Sequence, residues 1–291
     1  MAAGVGHPAA AGGPTRRAGG GHPAAAGAPV PRLAYGTAVS PPPTLRALAA
    51  GGPPLHGDAL AALYDVPDRG TSWLRVNFVA SLDGAVDVAG YSAGLSDPAD
   101  RHLFGLLRMM ADAVLVGAGT LRVEDYGPVR MGEQHRRWRL ARGLPAHPTL
   151  VVVSRSLDLD PRRPSFADAP VRPVVLTCTA APADRREALA ATTDVVTAGD
   201  EATDLALALR LLRERGLRHI LCEGGPHLLG ELTAADLVDE VCLTVAPLLA
   251  GPGAGRITAG PPSPLRRMVL DRVLTAGDTL FLRYRRARDH S

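Results

Sequence analysis

The run Ala113-Val114-Leu115-Val116 is apolar at every position. A strand with one wet face alternates polar and apolar residues, whereas a strand apolar throughout needs cover on both faces. That requirement points to a parallel sheet clad by helices on each side. Thr149–Val153 and Pro173–Cys178 read as further strands of this kind, and Asp194–Thr197 as a short one. Leu74–Ala80 alternates and is β-prone, as do Val241, Leu243 and Val245. Helix signals lie between these runs. Asp97 can cap a helix that Pro98 opens, and Leu103, Leu106, Leu107 and Met110 fall on one face of it. Ala183–Ala190 reads as helical. Leu205, Ala208, Leu209 and Leu212 mark another helix, stopped by Gly216. Met268–Leu274 and Thr279–Tyr284 pair across Ala276-Gly277-Asp278 as a hairpin. The expected fold class is α/β: a mostly parallel central sheet flanked by helices, with a C-terminal antiparallel hairpin.

Composition divides the chain. Residues 1–43 are mostly Ala, Gly and Pro, and such a segment buries too little apolar surface to offset its ordering entropy, so disorder is expected there. Residues 44–72 read as a packing arm, and 73–287 as the folded domain. The sequence contains no lysine, and arginine supplies a formal charge of +3. Without a clustered basic stripe, nucleic-acid binding is not expected. No run is long and apolar enough to span a bilayer, and the N-terminus lacks a charged start followed by an apolar block, so a cytoplasmic protein is expected. The three cysteines, Cys178, Cys222 and Cys242, are far apart in apolar runs and read as core residues, with neither metal site nor disulfide. The arginine-rich stretch 130–142 reads as a solvated surface segment.

Chemistry gathers at the turns. In Arg218–Glu231, the run Ile220-Leu221-Cys222 ends a strand, Glu223 sits at its carboxyl edge, Gly224 and Gly225 turn, and Pro226 starts a helix. Free amides and the dipole at such a helix start favour an anion, which suggests a cofactor phosphate. An ordinary strand–turn–helix connection has the same pattern. In open parallel sheets ligands bind at the carboxyl ends of strands. Four turns occupy such ends: Ser81–Gly84, Gly117–Thr120, Ser154-Arg155 and Glu223–Pro226, and they are expected to converge on one cleft. The first strand lacks G-x-G-x-x-G, so an ordinary Rossmann site is not indicated.

Three motifs in order carry a resemblance. Val76-Asn77-Phe78-Val79-Ala80-Ser81-Leu82-Asp83-Gly84, Asp112-Ala113-Val114-Leu115-Val116-Gly117-Ala118-Gly119-Thr120 and Glu223-Gly224-Gly225-Pro226 followed by Leu228 resemble the reductase domain of the bacterial bifunctional riboflavin-biosynthesis deaminase–reductase. Leu237-Val238-Asp239-Glu240, then Ala246-Pro247 and Gly251, fit the same pattern. The resemblance covers about Trp73 to Arg285. It implies a dihydrofolate reductase-like fold, NADPH as cofactor, a phosphorylated ribosylamino-pyrimidine as substrate and a homodimer. It places NADP at Ala80, Thr120, Glu124 and Ser154 and along Gly225, Pro226, His227, Leu228 and Leu229. Gly117 and Gly224, at the turns, join that set. It places substrate at Glu223 and Arg101. Arg155 is added here as a reader of the NADPH 2′-phosphate, because a guanidinium can pair with it. Asp83, in the Ser-Leu-Asp-Gly turn, is the candidate catalytic residue.

Departures from the pattern are specific. H-x-E with P-C-x-x-C is absent, so deamination is not expected. Asp125-Tyr126-Gly127-Pro128 replaces the family's Asp-Asn-Pro or Asp-Asp-Pro, and a tryptophan expected near Gly94 or Leu95 is missing. Both changes fall on the substrate side. A dihydrofolate or pteridine reductase and a non-catalytic NADP-binding module are therefore the alternatives.

Overall fold

Strands and helices alternate along the chain. The order is α1 (Gly57–Ala62), β1 (Trp73–Ser81), α2 (Pro98–Met110), β2 (Ala113–Gly117), α3 (Ala118–Val123), α4 (Glu133–Leu140), β3 (Thr149–Val153), α5 (Pro164–Ala167) and β4 (Val174–Thr177). There follow α6 (Ala183–Ala190), β5 (Asp194–Thr197), α7 (Leu205–Glu214), β6 (His219–Cys222), α8 (Pro226–Ala234), β7 (Glu240–Ala246), β8 (Met268–Ala276) and β9 (Thr279–Arg286). The structure is a computed structural model that describes residues 53–66, 68–88 and 90–287. The segment 1–43, expected to be disordered, and the arm residues 44–52 lie outside the described residues.

Among the described residues, nine strands form one sheet in the order β5-β4-β3-β2-β6-β1-β7-β9-β8. Pairing is parallel from β5 through β7, while β9 runs antiparallel to both β7 and β8. The wholly apolar strands lie inside this order, and their alternate residues feed two cores. Val114, Val116 and Leu221 pack with α2, α5 and α6 through Leu103, Leu107, Phe166 and Leu189. Ala113, Leu115, Ile220 and Cys222 pack on the other face with α7 and α8 through Ala208, Leu212, Leu228 and Leu232. The Asp97 carboxylate accepts from Asp100 N (2.7 Å) at the start of α2, and Pro98 takes the first turn. All three cysteines are free and buried.

Two features depart from the sequence reading. Gly117-Ala118-Gly119-Thr120 is not a loop but runs straight from β2 into α3. The stretch 130–142 is not uniformly solvated. It contains α4, and Arg139 is fully buried there. Its guanidinium donates to Met109 O (2.9 Å), Ala111 O (2.5 Å) and Pro145 O (2.6 Å). These include carbonyls that the end of α2 leaves without intrahelical donors, and the arginine supplies them. Burial lowers its pKa to about 10.

Tyr64, just after α1, is buried in the same core as α2. Beneath it, at the amino ends of β1 and β7, lies a buried ionic cluster. The Glu240 side chain is fully covered and receives Arg75 Nε (2.6 Å) and Arg283 Nε (2.9 Å) on Oε1, and Arg283 Nη2 (2.9 Å) and Trp73 Nε1 (3.0 Å) on Oε2. The two arginines also donate to the carbonyls of Tyr64 and Leu63. Burial pushes the Glu240 carboxyl up, but the flanking guanidiniums outweigh it and hold the pKa down at about 2.

Candidate active site

A cavity of about 700 Å³ opens at the carboxyl ends of β1, β2 and β6. Asn77, Phe78 and Val79 come to it from β1, Gly117 from the end of β2, and Glu223, Gly225, Pro226, His227 and Leu228 from the turn into α8. Gly119, Thr120, Glu124 and Tyr126 reach it from α3 and beyond, and Arg101, Phe104 and Arg108 from α2. Two of the four sequence-identified turns line it, Gly117–Thr120 and Glu223–Pro226. Ser81–Gly84 and Ser154-Arg155 do not.

The two glycine turns lock together: Gly117 N donates to Gly224 O (2.7 Å). Gly224 has φ +102°, and the Gly224–Gly225 peptide is cis. A Cβ on Gly225 would stand 2.5 Å from Thr120 Oγ1, so the close approach this glycine permits is first of all to the protein itself. Gly225 precedes the nine-residue α8 without a side-chain cap. The amides of His227 and Leu228 belong to the first turn, where donors lack intrahelical acceptors. Gly119 faces open space, since a Cβ there would meet nothing within 4 Å. Asn77 Oδ1 is buried without a hydrogen-bond partner among the described residues. Helix-start donors, an uncrowded glycine and an orphaned acceptor around one cavity fit an anionic dinucleotide carrying an amide.

Of the remaining expected cofactor residues, Ala80, Leu229, Ser154 and Arg155 do not line the cavity. Ala80 is buried in β1, and Leu229 packs in the core. Ser154 is buried, and its hydroxyl accepts from Leu157 N (3.1 Å). Arg155 is exposed beyond β3. Glu124 lines the cavity and accepts from Ser92 N (3.1 Å). Asp83 is exposed outside the cavity. It accepts from Ser81 Oγ, from Ala250 N (3.1 Å) and from Gly251 N (2.8 Å), so it ties β1 to the segment after β7. Those bonds, Ser81 foremost, hold its pKa down at about 2.

The same cavity holds a cluster that the sequence reading did not see. Glu223 Oε1 accepts from Arg108 Nε (2.7 Å), and Oε2 accepts from Arg108 Nη2 (2.7 Å) and from the Tyr126 hydroxyl. The same Nη2 lies 2.9 Å from the Tyr126 oxygen. The guanidinium rests 4.2 Å from the Phe104 ring centroid and 5.3 Å from that of Tyr126. Burial works against the Arg108 charge, but the Glu223 carboxylate more than compensates and its pKa rises. The Glu223 side chain is 2% exposed and that of Arg108 22%. Arg101 lies two turns before Arg108 on α2 and donates to Ser96 O (2.8 Å). A signal for Arg108 existed: Arg101, Phe104 and Arg108 stand at i, i+3 and i+7, a second stripe beside the apolar one.

The model of the RibD C-terminal domain matches residues 72–282. The 2,5-diamino-6-ribosylamino-4(3H)-pyrimidinone 5′-phosphate reductase of Archaeoglobus fulgidus is 28% identical over 180 residues, covering 62% of this chain and 82% of that one. The crystal structure of a pyrimidine reductase-like protein from Corynebacterium diphtheriae superposes with a TM-score of 0.69 at 30% identity, covering 75% of this chain and 93% of that one. The riboflavin biosynthesis reductase Rib7 of Saccharomyces cerevisiae shares the fold, with a TM-score of 0.55 at 16% identity over 78% of this chain and 95% of that one. The fold is thus the dihydrofolate reductase-like one of the pyrimidine reductases.

Proposed function

This chain belongs to the RibD C-terminal domain family, and on that premise we propose that it is an NADPH-dependent reductase of the riboflavin-pathway type, reducing the ribose of 5-amino-6-(5-phosphoribosylamino)uracil to a ribityl chain. The observation that carries the reading is the cavity that gathers helix-start donors and glycines together with arginines and a buried carboxylate. When bound, the dinucleotide supplies a hydride. The ring-opened ribosylamine offers a C=N bond, which takes hydride at carbon and a proton at nitrogen.

The chain's own work is to hold and orient. Gly119, Thr120, His227 and Leu228 line the cofactor side, with Asn77 positioned to accept an amide N–H. The family resemblance is what supports NADPH over NADH, and Arg155, exposed beyond β3 and outside the cavity lining, is its proposed 2′-phosphate reader. Arg101 keeps donors free for the substrate phosphate, and Arg108 with Glu223 meets the ring. A site of this kind works by proximity and exclusion of water, and it asks for no covalent nucleophile. We expect a cytoplasmic homodimer. Phe78, Phe104 and Tyr126 line the cavity with aromatic surface, which favours pterin reduction as the second reading. NADPH oxidation at 340 nm with the ribosylamino-uracil phosphate, with dihydrofolate and with neither separates the readings. Turnover of the first alone is expected, and cofactor binding without oxidation of any substrate would make the chain a binding module.

A further inference from the structure

We propose that a second copy of this chain docks, sheet against sheet, on the outer face of β7, β9 and β8. Such docking gives the expected homodimer its face, and it stands independently of the reductase reading. In a strand with one wet face, polar residues point out and apolar residues point in. Strands β7 and β9 reverse that sense. Their inward positions hold Glu240, Thr244 and Arg283, all buried, while the alternate positions are apolar and half-exposed. In register, Val241, Tyr284 and Leu270 form one row across the three strands, and Leu243, Leu282 and Val273 form the next. Residues opposite one another in a ladder share a face, so the two rows make one surface with no charged side chain in it. The core under α7 and α8 touches these rows at Val241 alone. The others pack in neither core among the described residues, and Leu270 is 50% exposed. A contiguous apolar surface of this kind marks an interaction site.

A second copy fits the surface in size, charge and edge. The strands run seven to nine residues. At about 3.3 Å per residue and about 4.8 Å between strands, the footprint is roughly 14 by 25 Å. That is the scale of the apolar centre of a dimer interface, which with its polar rim buries about 800 Å² on each side. In a two-fold interface the same patch meets itself, so an uncharged face is compatible with its copy where a charged one is not. Strand addition at the β8 edge is disfavoured, because a bulge between Leu270 and Arg272 interrupts the ladder and leaves Asp271 and Arg272 exposed there. The copy therefore meets the face. Within residues 1–43 the large apolar side chains gather at Val30, Leu33, Tyr35 and Val39. They amount to one strand, whereas the face is three strands wide.

The test is the oligomeric state of the full chain by sedimentation equilibrium. Wild type is expected to be a dimer. Leu282→Glu sets like charges together at the middle of the face and should weaken association by at least about a hundredfold, leaving a monomer that is folded by circular dichroism. Val273→Glu, nearer the sheet edge, makes the same test if Leu282→Glu does not fold. Leu140→Glu, at a residue 59% exposed on α4, should remain dimeric, as should a chain lacking residues 1–43. Hydroxyl-radical footprinting of wild type needs no variant: Tyr284 should be protected at high protein concentration and reactive on dilution. A monomeric wild type, a folded Leu282→Glu or Val273→Glu that stays dimeric, or a Tyr284 equally reactive at all concentrations overturns the proposal. So does a full chain that dimerises only when residues 1–43 are removed, since that segment would then be what covers the face. None of these readouts depends on turnover, so a failed interface and a failed reductase are told apart.

Discussion

Two carboxylates, Glu240 and Glu223, are buried against arginine at opposite edges of the same parallel sheet, yet they differ in how completely they are answered. Glu240 lies at the amino end of β7 under two guanidiniums and an indole N–H, with no exposed surface. Its arginines are also committed to the backbone around α1. Glu223 lies at a carboxyl end with one guanidinium and one phenol, and its arginine keeps a nitrogen free toward a 700 Å³ cavity. A saturated ion cluster holds a fold together. One with hydrogen-bonding capacity left over can take a ligand. Burial and charge alone do not separate the two, and the tally of remaining donors and acceptors does.

Breaking the saturated side should have the largest effect. Glu240→Gln strands two buried guanidiniums, and removing one partner of a buried pair costs about 3–5 kcal/mol. For a domain of this size that lowers Tm by on the order of 10 °C. Glu223→Gln strands a guanidinium that cavity water can reach, so its Tm loss should be smaller. Its kcat/KM should fall by about ten- to a hundredfold with NADPH affinity kept, as expected when a hydrogen bond to substrate is lost. Calorimetry and steady-state kinetics on both variants check the contrast, and equal Tm losses would erase it.

Acid sharpens the same comparison. The Glu240 pKa falls from 4.5 to about 2 on folding. A depressed carboxyl stabilises the fold above its unfolded pKa and loses that contribution as pH falls through the folded one. Wild-type stability owed to Glu240 should be flat above about pH 4.5 and decline between there and pH 2. In Glu240→Gln that part of the decline should be missing, so the two curves should converge toward pH 2.

How far the sequence revealed each region follows from the range of the interactions. Strands β2 to β5, the cap at Asp97 and the glycine turn into α8 were legible, because periodicity and turn chemistry act within a few residues. The three buried cysteines were legible for the same reason. Arg139 was not: its acceptors are carbonyls 28 to 30 residues away at the end of α2, or across the loop at Pro145. Arg108 and Glu223 are 115 residues apart. Glu223 drew attention as a costly buried carboxylate, but its partner was invisible until β6 lay against α2. Tyr126 stood out only as a departure from a pattern, and its role needed the same contact.

Space beside the site gives an intermediate effect. Gly119 borders the cavity, and a side chain there meets no protein atom. Gly119→Val should weaken NADPH binding by at least about tenfold, or 1.4 kcal/mol, without lowering Tm, since valine replaces the weaker helix former. Gly225→Val drives its Cβ against Thr120 Oγ1 and should lose stability and binding together. Fluorescence titration of NADPH with thermal melts of both variants separates ligand space from packing space. A Gly119→Val protein that binds normally would move the cofactor off this wall.

The smallest effect is expected from the N-terminus, and it bears on where the saturated cluster finds its support. Arg75 and Arg283 reach the carbonyls of Tyr64, Leu63 and Asp65, and Leu60, Ala61 and Tyr64 pack in the core. All of these lie after Pro54, where the compact unit begins. Residues 1–43 are rich in Ala, Gly and Pro and carry none of the groups on either cluster. Their deletion should leave Tm and kcat/KM at wild-type values, within about 0.5 kcal/mol, the range of changes far from such features. Deletion through residue 66 removes the backbone acceptors of both buried arginines together with the core packing of Leu60, Ala61 and Tyr64, and should destabilise as severely as Glu240→Gln. A large loss already at residue 43 would mean that the scaffold cluster relies on contacts from the leading segment, and that its saturation does not come from α1 and the sheet alone.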